Sequence, residues 1–201
     1  YFSDKGKVYQ EKAYQITDAG RTGKGVPLHS ILNLDVAETI TAAVPVPDFD
    51  EVEYCTMVTH YGRIKRVEIS EFSSVRPSGL IAMTLEEGDT LNSVKLTNGD
   101  QDLILVTENG QSIRFNEEQV RAVGRTAQGV NAIRLQNGDV VAGVDVIHDP
   151  TMDLLVVTRK GYGKRTALVE YPQQLRYGLG VRTLARNEKT GPVLDARVVK
   201  P

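Results

Sequence analysis

The sequence predicts an all-β fold made of four repeats of about fifty residues, each forming a blade of four antiparallel strands. Two observations carry this prediction. Short apolar or alternating runs are separated by Asn-Gly and other glycine turns, and no helical periodicity of any length interrupts them. Four landmarks also recur in four copies, and their spacing lies in the range of propeller blades.

The third copy shows the first half of the unit most clearly. Residues 103–106 form a continuous apolar run, which predicts a strand buried on both faces. Asn109-Gly110 follows and predicts a type I′ hairpin turn, in which both central residues have positive φ. Residues 113–115 alternate apolar and basic side chains, as a half-buried partner strand does.

The second half of the unit starts with a polar, arginine-bearing loop at 121–129. Residues 133–135 predict a third strand, and Asn137-Gly138 predicts a second hairpin turn. Residues 140–146 predict the closing strand, because Val140, Ala142, Val144 and Val146 share one face at a period of two. The unit therefore has four predicted strands.

The other copies repeat these landmarks. The first turn glycine recurs as Gly6, Gly62, Gly110 and Gly161. A hydroxyl residue lies three positions before it, as Ser3, Thr59, Thr107 and Thr158. A second glycine closes each arginine loop, as Gly25, Gly79, Gly129 and Gly180. We therefore predict one repeat domain over residues 1–201, with blades at about 1–46, 54–96, 103–147 and 154–199.

The two ends suggest an internal fragment of a larger ring. Tyr1 is not an initiator methionine, and the first copy holds only a remnant of its opening strand. Pro201 follows the closing strand of the fourth copy and precedes any further opening strand. We expect the first blade to need a strand from elsewhere, and the terminal strands to be exposed edges unless the ends meet.

The net charge of −2 conceals a strong separation by repeat phase. The part of each copy from the first to the second glycine holds 18 of the 24 Lys and Arg residues but only 7 of the 26 Asp and Glu residues, a net charge of +11. The rest of the chain carries −13. Because the same phase of every blade lies on the same ring of a radial array, we predict a basic band and an acidic remainder.

Evenly spaced cations on a rim suit the phosphate backbone of duplex DNA, a contact that is independent of sequence and driven by counterion release. The predicted DNA-binding residues, named the basic band from here on, are Lys5, Lys7, Arg21, Lys24, Arg63, Lys65, Arg66, Arg76, Arg114, Arg121, Arg125, Arg159, Lys160, Lys164, Arg165, Arg176 and Arg182. Only Tyr162 and Tyr177 sit among them as aromatic platforms, so single-strand stacking is the weaker option. Two alternatives are a protein-interaction platform without DNA binding and an enzyme built at the centre of the array.

Catalytic and metal-binding patterns are missing from the sequence. The histidines have no second ligand at metal spacing: His29, His60 and His148. The acidic pairs are expected to be solvated: Glu86-Glu87 and Glu117-Glu118. Cys55 is expected to be a small buried residue of a strand. We predict no catalytic residue, no metal and no cofactor. No apolar run approaches the length of a membrane span, and we expect a cytoplasmic, nucleoid-associated protein.

Three stretches resemble the C-terminal domain of bacterial DNA gyrase A. They are residues 1–9 (Tyr-Phe-Ser-Asp-Lys-Gly-Lys-Val-Tyr), residues 125–130 (Arg-Thr-Ala-Gln-Gly-Val) and residues 161–166 (Gly-Tyr-Gly-Lys-Arg-Thr), the last followed by Glu-Tyr-Pro at 170–172. The resemblance extends over all four repeats. It implies a β-pinwheel, a propeller-like disc whose blades exchange strands and whose basic perimeter binds and bends duplex DNA.

The resemblance also implies partners and a parent enzyme. The rest of gyrase A and the gyrase B protein would be the protein partners, and the whole would be an ATP-dependent topoisomerase that introduces negative supercoils. Two features depart from the family pattern, since only four blades are present instead of six and the Gln-Arg-Arg-Gly-Gly-Lys-Gly box is absent. We attribute the missing box to truncation. The related protein of topoisomerase IV is the alternative within the family.

Overall fold

The computed structural model describes residues 1–49, 53–136 and 138–201, which form short β-strands joined by turns and loops. In chain order the strands are β1 (Phe2–Ser3), β2 (Lys7–Val8), β3 (Ile40–Ala42), β4 (Tyr54–Thr59), β5 (Arg63–Glu68), β6 (Leu80–Ile81), β7 (Leu91–Thr97), β8 (Asp102–Thr107), β9 (Gln111–Asn116), β10 (Val130–Asn131), β11 (Val141–Ile147), β12 (Asp153–Thr158), β13 (Gly163–Ala167), β14 (Val181–Arg182) and β15 (Val193–Val199). The helical turns are 3-10 turns of three or four residues: Ala13–Gln15, Leu28–Ser30, Ile69–Phe72, Glu117–Gln119 and Leu168–Glu170. The all-β prediction is confirmed.

The strands form four antiparallel sheets, the blades, and neighbouring repeats exchange strands between them. The sheet orders are β3-β1-β2-β6, β10-β5-β4-β7, β11-β8-β9-β14 and β13-β12-β15. In each of the first three sheets one edge strand comes from the following repeat: β6 pairs with β2, β10 with β5, and β14 with β9. This exchange confirms the pinwheel arrangement that the resemblance implied. We call β2, β5, β9 and β13 the outer strands, and β6, β10 and β14 the donated strands.

The Thr-x-x-Gly landmark builds the turn between the opening and outer strands. In the third repeat the Gly110 amide donates to the Thr107 carbonyl at 2.9 Å, and the Thr107 hydroxyl accepts the Gln111 amide at 3.1 Å. The same two bonds recur in the other three repeats. Gly110 has a φ of 85°, whereas Asn109 does not have positive φ. The predicted type I′ turn is therefore wrong, because a turn closed by these Thr107 bonds needs a left-handed residue only at the glycine.

The second glycine allows a donated strand to cross close to an outer strand. A Cβ on Gly129 would lie 2.3 Å from the Ile64 carbonyl oxygen, and one on Gly180 would lie 2.1 Å from that of Ser112. Both glycines have positive φ. Any side chain here would push the donated strand away from the outer strand. The glycine at this position is therefore explained by strand exchange and not by a need for a flexible loop.

The predicted third strand lies in the wrong place. Residues 133–135 are not a strand, and the pairing is made instead by Val130 and Asn131. Ile133 is buried in the core between the second and third blades, with Leu135 packed against it. The apolar pattern of 133–135 therefore reflects packing between blades. Of the second predicted turn, Asn137 lies outside the described residues, and Gly138 has a φ of 74°.

Hydrophobic cores lie between successive blades. Val58 and Ile64 of the second blade pack with Leu105 and Phe115 of the third, and equivalent clusters join the first blade to the second and the third to the fourth. Cys55 is fully buried between the first and second blades, as predicted, and burial raises the pKa of its thiol to about 12. Among the described residues, each of these cores thus lies between two neighbouring blades, as in repeat arrays.

The strands β7, β11 and β15, which we call the inner strands, also link blade to blade. The first residue of each inner strand donates its amide to the preceding hairpin: Leu91 to the Asp4 carbonyl (3.1 Å), Val141 to that of His60 (2.9 Å) and Val193 to that of Glu108 (2.9 Å). Asp145 on β11 accepts the ammonium of Lys95 from β7 and the amide of Val198 from β15, both at 2.8 Å. One carboxylate therefore connects three successive blades.

We expected the first blade to need a strand from elsewhere in place of its incomplete opening strand, and this expectation is wrong. The remnant Phe2–Ser3 forms β1, which pairs with both β2 and β3, and β6 completes the sheet. The fourth sheet has three strands among the described residues. Its outer strand β13 is exposed over most of its length, as an unpaired sheet edge is.

Candidate nucleic-acid interface

Ten of the seventeen residues of the basic band are exposed, and they come from all four repeats. They are Lys5, Arg21, Lys24, Arg76, Arg121, Arg159, Lys160, Lys164, Arg165 and Arg182. Five are half-buried: Lys7, Arg63, Arg114, Arg125 and Arg176. Lys65 and Arg66 are buried. The structure therefore separates the sequence-derived set into cations that solvent can reach and cations that hold the fold.

Lys65 is an anchor for the arginine loop of the next repeat. Its side chain is 1% exposed, and its ammonium donates to the carbonyls of Gly124 and Ala127, each at 3.2 Å, and to that of Arg125. Burial lowers the pKa of Lys65 to about 8, against the opposing influence of the Glu71 carboxylate. With its donors used inside the protein, Lys65 does not offer them to a phosphate.

Arg66, on the same outer strand as Lys65, is held in place by several partners. Its guanidinium lies 3.3 Å from the carboxylate of the buried Glu117, donates to the Gly99 carbonyl at 2.9 Å and stacks on Tyr54 at 4.3 Å. Glu117 is fully buried and also accepts the amides of Gly99 and Gln101. The prediction of a solvated Glu117 is wrong, because this carboxylate ties the loop between β7 and β8 to Arg66.

The residue equivalent to Arg66 has a different environment in each later repeat. Arg114 pairs with Asp102 at 2.8 Å and reaches the Leu168 and Tyr171 carbonyls of the next repeat, each at 3.4 Å. Arg165 pairs with Asp153 at 2.9 Å, but 54% of its side chain remains exposed. Within the described residues, the same repeat position is held by contacts with the next repeat in the second and third repeats, whereas in the fourth it lies on a sheet without a donated strand.

The fourth repeat carries the most accessible cationic surface. Lys164 and Arg165 lie on the exposed strand β13, with Lys160 at the preceding turn. Arg159 pairs with Glu108 at 2.7 Å while 56% of its side chain stays exposed. Tyr162 is 42% exposed beside them, with the Lys189 ammonium 5.6 Å from the centre of its ring.

Intramolecular contacts also restrain the half-buried members of the basic band. Lys7 pairs with Asp35, Arg63 with Glu86, and Arg125 with Glu71 at 3.2 Å. The Arg176 guanidinium donates to the Asn131 carbonyl. Arg125 and Arg176 belong to arginine loops, which these contacts help to orient, and a polyanion would have to compete with the present partners of all four side chains.

One basic residue beside the band was missed by the sequence analysis. Arg186 lies six residues after the second glycine of the fourth repeat, outside the windows that defined the band. It lines a cavity of about 680 Å³ together with Lys160 and Arg182. A comparison of the same position in the other repeats, Leu85 and Leu135, would have identified it as unusual.

Other kinds of site have little support in the described part of the chain. No group of three or more His, Cys, Asp or Glu side chains among residues 1–49, 53–136 and 138–201 could hold a metal ion. Within the same ranges no helix has the length and apolar character of a membrane span. His60 bonds to the Thr90 hydroxyl at 2.7 Å and lies 3.2 Å from the Asn92 amide nitrogen, so its ring serves the turn.

Comparisons with known proteins agree with this architecture. Solved structures similar to the chain include the C-terminal domain of DNA topoisomerase IV, with a TM-score of 0.89, and the DNA gyrase A C-terminal domain, with a TM-score of 0.82. Each is 28% identical and covers 99% of this chain, which spans 62% and 64% of those two chains.

Among curated proteins, the DNA gyrase A protein of Haloquadratum walsbyi is 44% identical over 204 residues, covering 99% of this chain, and that of Staphylococcus epidermidis is 39% identical over 196 residues, covering 96%. The chain spans 24% and 22% of the length of these relatives. The family model of the DNA gyrase C-terminal domain, a β-propeller, matches residues 2–47, 53–98, 101–148 and 153–200, one match for each repeat. With that match extending over nearly the whole array, the chain belongs to the DNA gyrase C-terminal domain family.

Proposed function

We propose that this domain binds duplex DNA along its basic band without reading sequence, and bends the DNA around the array of blades. The observation that carries the proposal is the exposure of ten cations from four repeats in one phase of the repeat, while the acidic residues are concentrated elsewhere. Phosphate contacts by such residues release counterions and are insensitive to base sequence.

The parent protein would be an ATP-dependent topoisomerase of the gyrase type, and this domain its accessory DNA-wrapping module. Family membership and the length of the gyrase A relatives support this part of the proposal. The rest of gyrase A and the gyrase B protein would then be the protein partners, and the protein would be associated with the nucleoid in the cytoplasm. The catalytic residues would lie outside this chain. The corresponding protein of topoisomerase IV is the second candidate, favoured by the structural similarity to its C-terminal domain.

Bending has an energetic cost that repeated contacts can offset. Smooth bending of a site of 20–30 base pairs by 40–90° costs on the order of 1–6 kcal/mol. Exposed cations on every blade supply contacts along a curved path, since successive blades present the same repeat phase. A bent duplex therefore gains phosphate contacts that a straight one would leave unmade.

The first experiment measures the affinity of the domain for linear duplexes of unrelated sequence as a function of salt concentration. We expect a steep negative slope, with a contribution of about 0.9 for each phosphate neutralised. Arg165→Ala and Arg121→Ala should each lower affinity equally on all sequences and reduce the slope by about one. Arg125→Ala should act in the same direction, with a part of its effect coming from the lost Glu71 pair.

Arg197→Ala is the matched control. Arg197 is 57% exposed and pairs with Asp195, but it lies on the inner strand β15, outside the basic band. The variant removes the same charge and should leave DNA affinity nearly unchanged. Sequence-dependent losses, or equal losses in Arg197→Ala and Arg165→Ala, would contradict the proposal. Undetectable DNA binding at low salt would favour a protein-interaction platform. Plasmid relaxed in the presence of the domain should change its linking number if the DNA is wrapped.

A further inference from the structure

One position of the repeat carries a leucine at the first two junctions between blades and an arginine at the junction between the third and fourth blades. Leu85 and Leu135 lie five residues after the start of their donated strands and pack beside the turn glycine of the preceding repeat. A Cβ on Gly6 would lie 3.3 Å from Cγ of Leu85, and one on Gly62 would lie 3.3 Å from Cδ1 of Leu135. Both leucines belong to the hydrophobic clusters of their junctions. An apolar side chain thus fills this space at the first two junctions.

Arg186 occupies the equivalent position at the third junction. Its guanidinium is exposed and donates to Oδ1 of Asn109 at 2.6 Å, directly before the turn glycine Gly110. At this junction Leu184 takes over the contact with the turn glycine, since a Cβ on Gly110 would lie 3.3 Å from Cβ of Leu184. Arg186 instead lines a cavity of about 680 Å³ with most of its lining side chains open to solvent. The replacement therefore places a guanidinium beside a polar recess.

The recess is positively charged, and two of its cations, Lys160 and Arg186, are held in position. Lys160 packs its methylene stem over Gly191, where a Cβ would meet Cγ of Lys160 at 3.1 Å, and its ammonium donates to the Glu188 carbonyl. Arg182 lines the same recess from the donated strand β14. Three cations and one carboxylate, that of Glu188, line the space. Held donors lose less conformational entropy when a ligand binds.

The chemistry of these donors favours a phosphate group. A guanidinium has five N–H donors in a planar fork that matches phosphate oxygens, and the Asn109 bond of Arg186 uses only part of them. Lysine adds a compact charge that is common in phosphate sites. Two arginines and one lysine from two consecutive segments of the fourth repeat can approach one phosphate from different sides of the recess.

We propose that the recess between the third and fourth blades is a phosphate-binding site in which Arg186 is the specific element. Its ligand in the DNA complex is a backbone phosphate, so this part of the proposal rests on the proposed function. The site adds a cation to the basic band at the third junction, whereas the equivalent residues at the first two junctions, Leu85 and Leu135, are apolar. Small phosphate compounds are the second source of the same chemistry.

The decisive variant is Arg186→Leu, which restores at this junction the residue that the other two junctions carry. The control is Lys189→Leu, which removes one exposed charge from the same segment but outside the lining of the recess. Duplex DNA affinity is measured for both across a salt series. Binding of inorganic pyrophosphate is measured without DNA by calorimetry. Arg186→Gln is a second variant that avoids a new apolar surface, and circular dichroism checks that each variant folds.

We expect Arg186→Leu and Arg186→Gln to weaken DNA binding by about three- to tenfold beyond Lys189→Leu, and to reduce the salt slope by about one more unit. Loss of pyrophosphate binding with unchanged DNA affinity would also support the site, with a small phosphate compound as its ligand. If both Arg186 variants match Lys189→Leu for DNA and match the native chain for pyrophosphate, the inference is overturned. Arg121→Ala distinguishes the two proposals: a loss there with no effect at Arg186 would leave DNA binding by the band intact and remove only this site.

Discussion

Strand exchange makes a sharp prediction about the second glycine, and the chain contains its own control. Gly180 has a φ of 73°, and its Cβ position lies 2.1 Å from the Ser112 carbonyl oxygen. Gly25 occupies the same repeat position with a φ of 66°, yet no atom lies within 4 Å of its Cβ position. Substitution by alanine therefore adds the same backbone cost at both sites but a steric cost only at Gly180.

The magnitudes follow from these two terms. A left-handed alanine costs about 1–2 kcal/mol at either site, and the accompanying loss of freedom in the unfolded chain is the same for both. Forcing β14 away from β9 adds a cost typical of overpacking, about 1–3 kcal/mol. We expect Gly180→Ala to lower the free energy of unfolding by about 2–5 kcal/mol, and Gly25→Ala by about 1–2 kcal/mol or less.

Urea unfolding followed by far-ultraviolet circular dichroism measures the difference, since the chain has no tryptophan. Hydrogen exchange gives a local reading at the Thr183 amide, which donates to the Gly110 carbonyl at 2.8 Å directly after β14. Exchange at Thr183 should accelerate in Gly180→Ala and stay unchanged in Gly25→Ala. Equal losses of stability at the two glycines would refute the argument that the landmark exists for strand exchange.

Two further predictions concern the buried Lys65 and the half-buried Asp145. Because the pKa of Lys65 is lowered to about 8 from an ordinary value of 10.5, the unfolded chain binds more protons between these values, and the free energy of unfolding should rise with pH over that interval. The rise should be smaller in Lys65→Met, and equal pH profiles would show that Lys65 is not the group responsible. Asp145→Asn should lower stability by about 1–3 kcal/mol, since it breaks the Lys95 pair and weakens the bond to the Val198 amide. A double-mutant cycle with Lys95→Met should give a coupling energy, and additive effects would contradict a direct pair.

The sequence was sufficient to predict the repeats and the positions of their first turns, because these depend on local chemistry, although the turn type predicted at Asn109-Gly110 was wrong. A hydroxyl three residues before a glycine makes its bonds within five residues, so Thr107 and Gly110 reveal their turn in any context. The second glycine was equally visible. Its reason was not, because the carbonyl that excludes a side chain at Gly180 belongs to Ser112 in the preceding repeat.

Whether each cation is buried or exposed was harder to predict, because burial also depends on contacts with another repeat. Lys65 and Lys164 occupy the same position of an outer strand, and both were assigned to the basic band. Lys65 is covered by the arginine loop of the third repeat, whereas Lys164 is exposed on β13. An arginine follows both lysines, so this local pattern does not separate an anchor from a candidate DNA-binding residue, whereas the contact with the following repeat does.

The donated strand in each of the first three blades also gives the molecule a direction of assembly. During synthesis the second sheet cannot acquire β10 until Val130 has left the ribosome, long after its own strands β4 and β5 are available. Until then the edge of β5 is open to incorrect pairing, and such non-local closure is slow. Each repeat that emerges covers the open sheet edge of the repeat before it. The blades are therefore completed in order from the amino-terminal end, each one only after the next repeat has been synthesised.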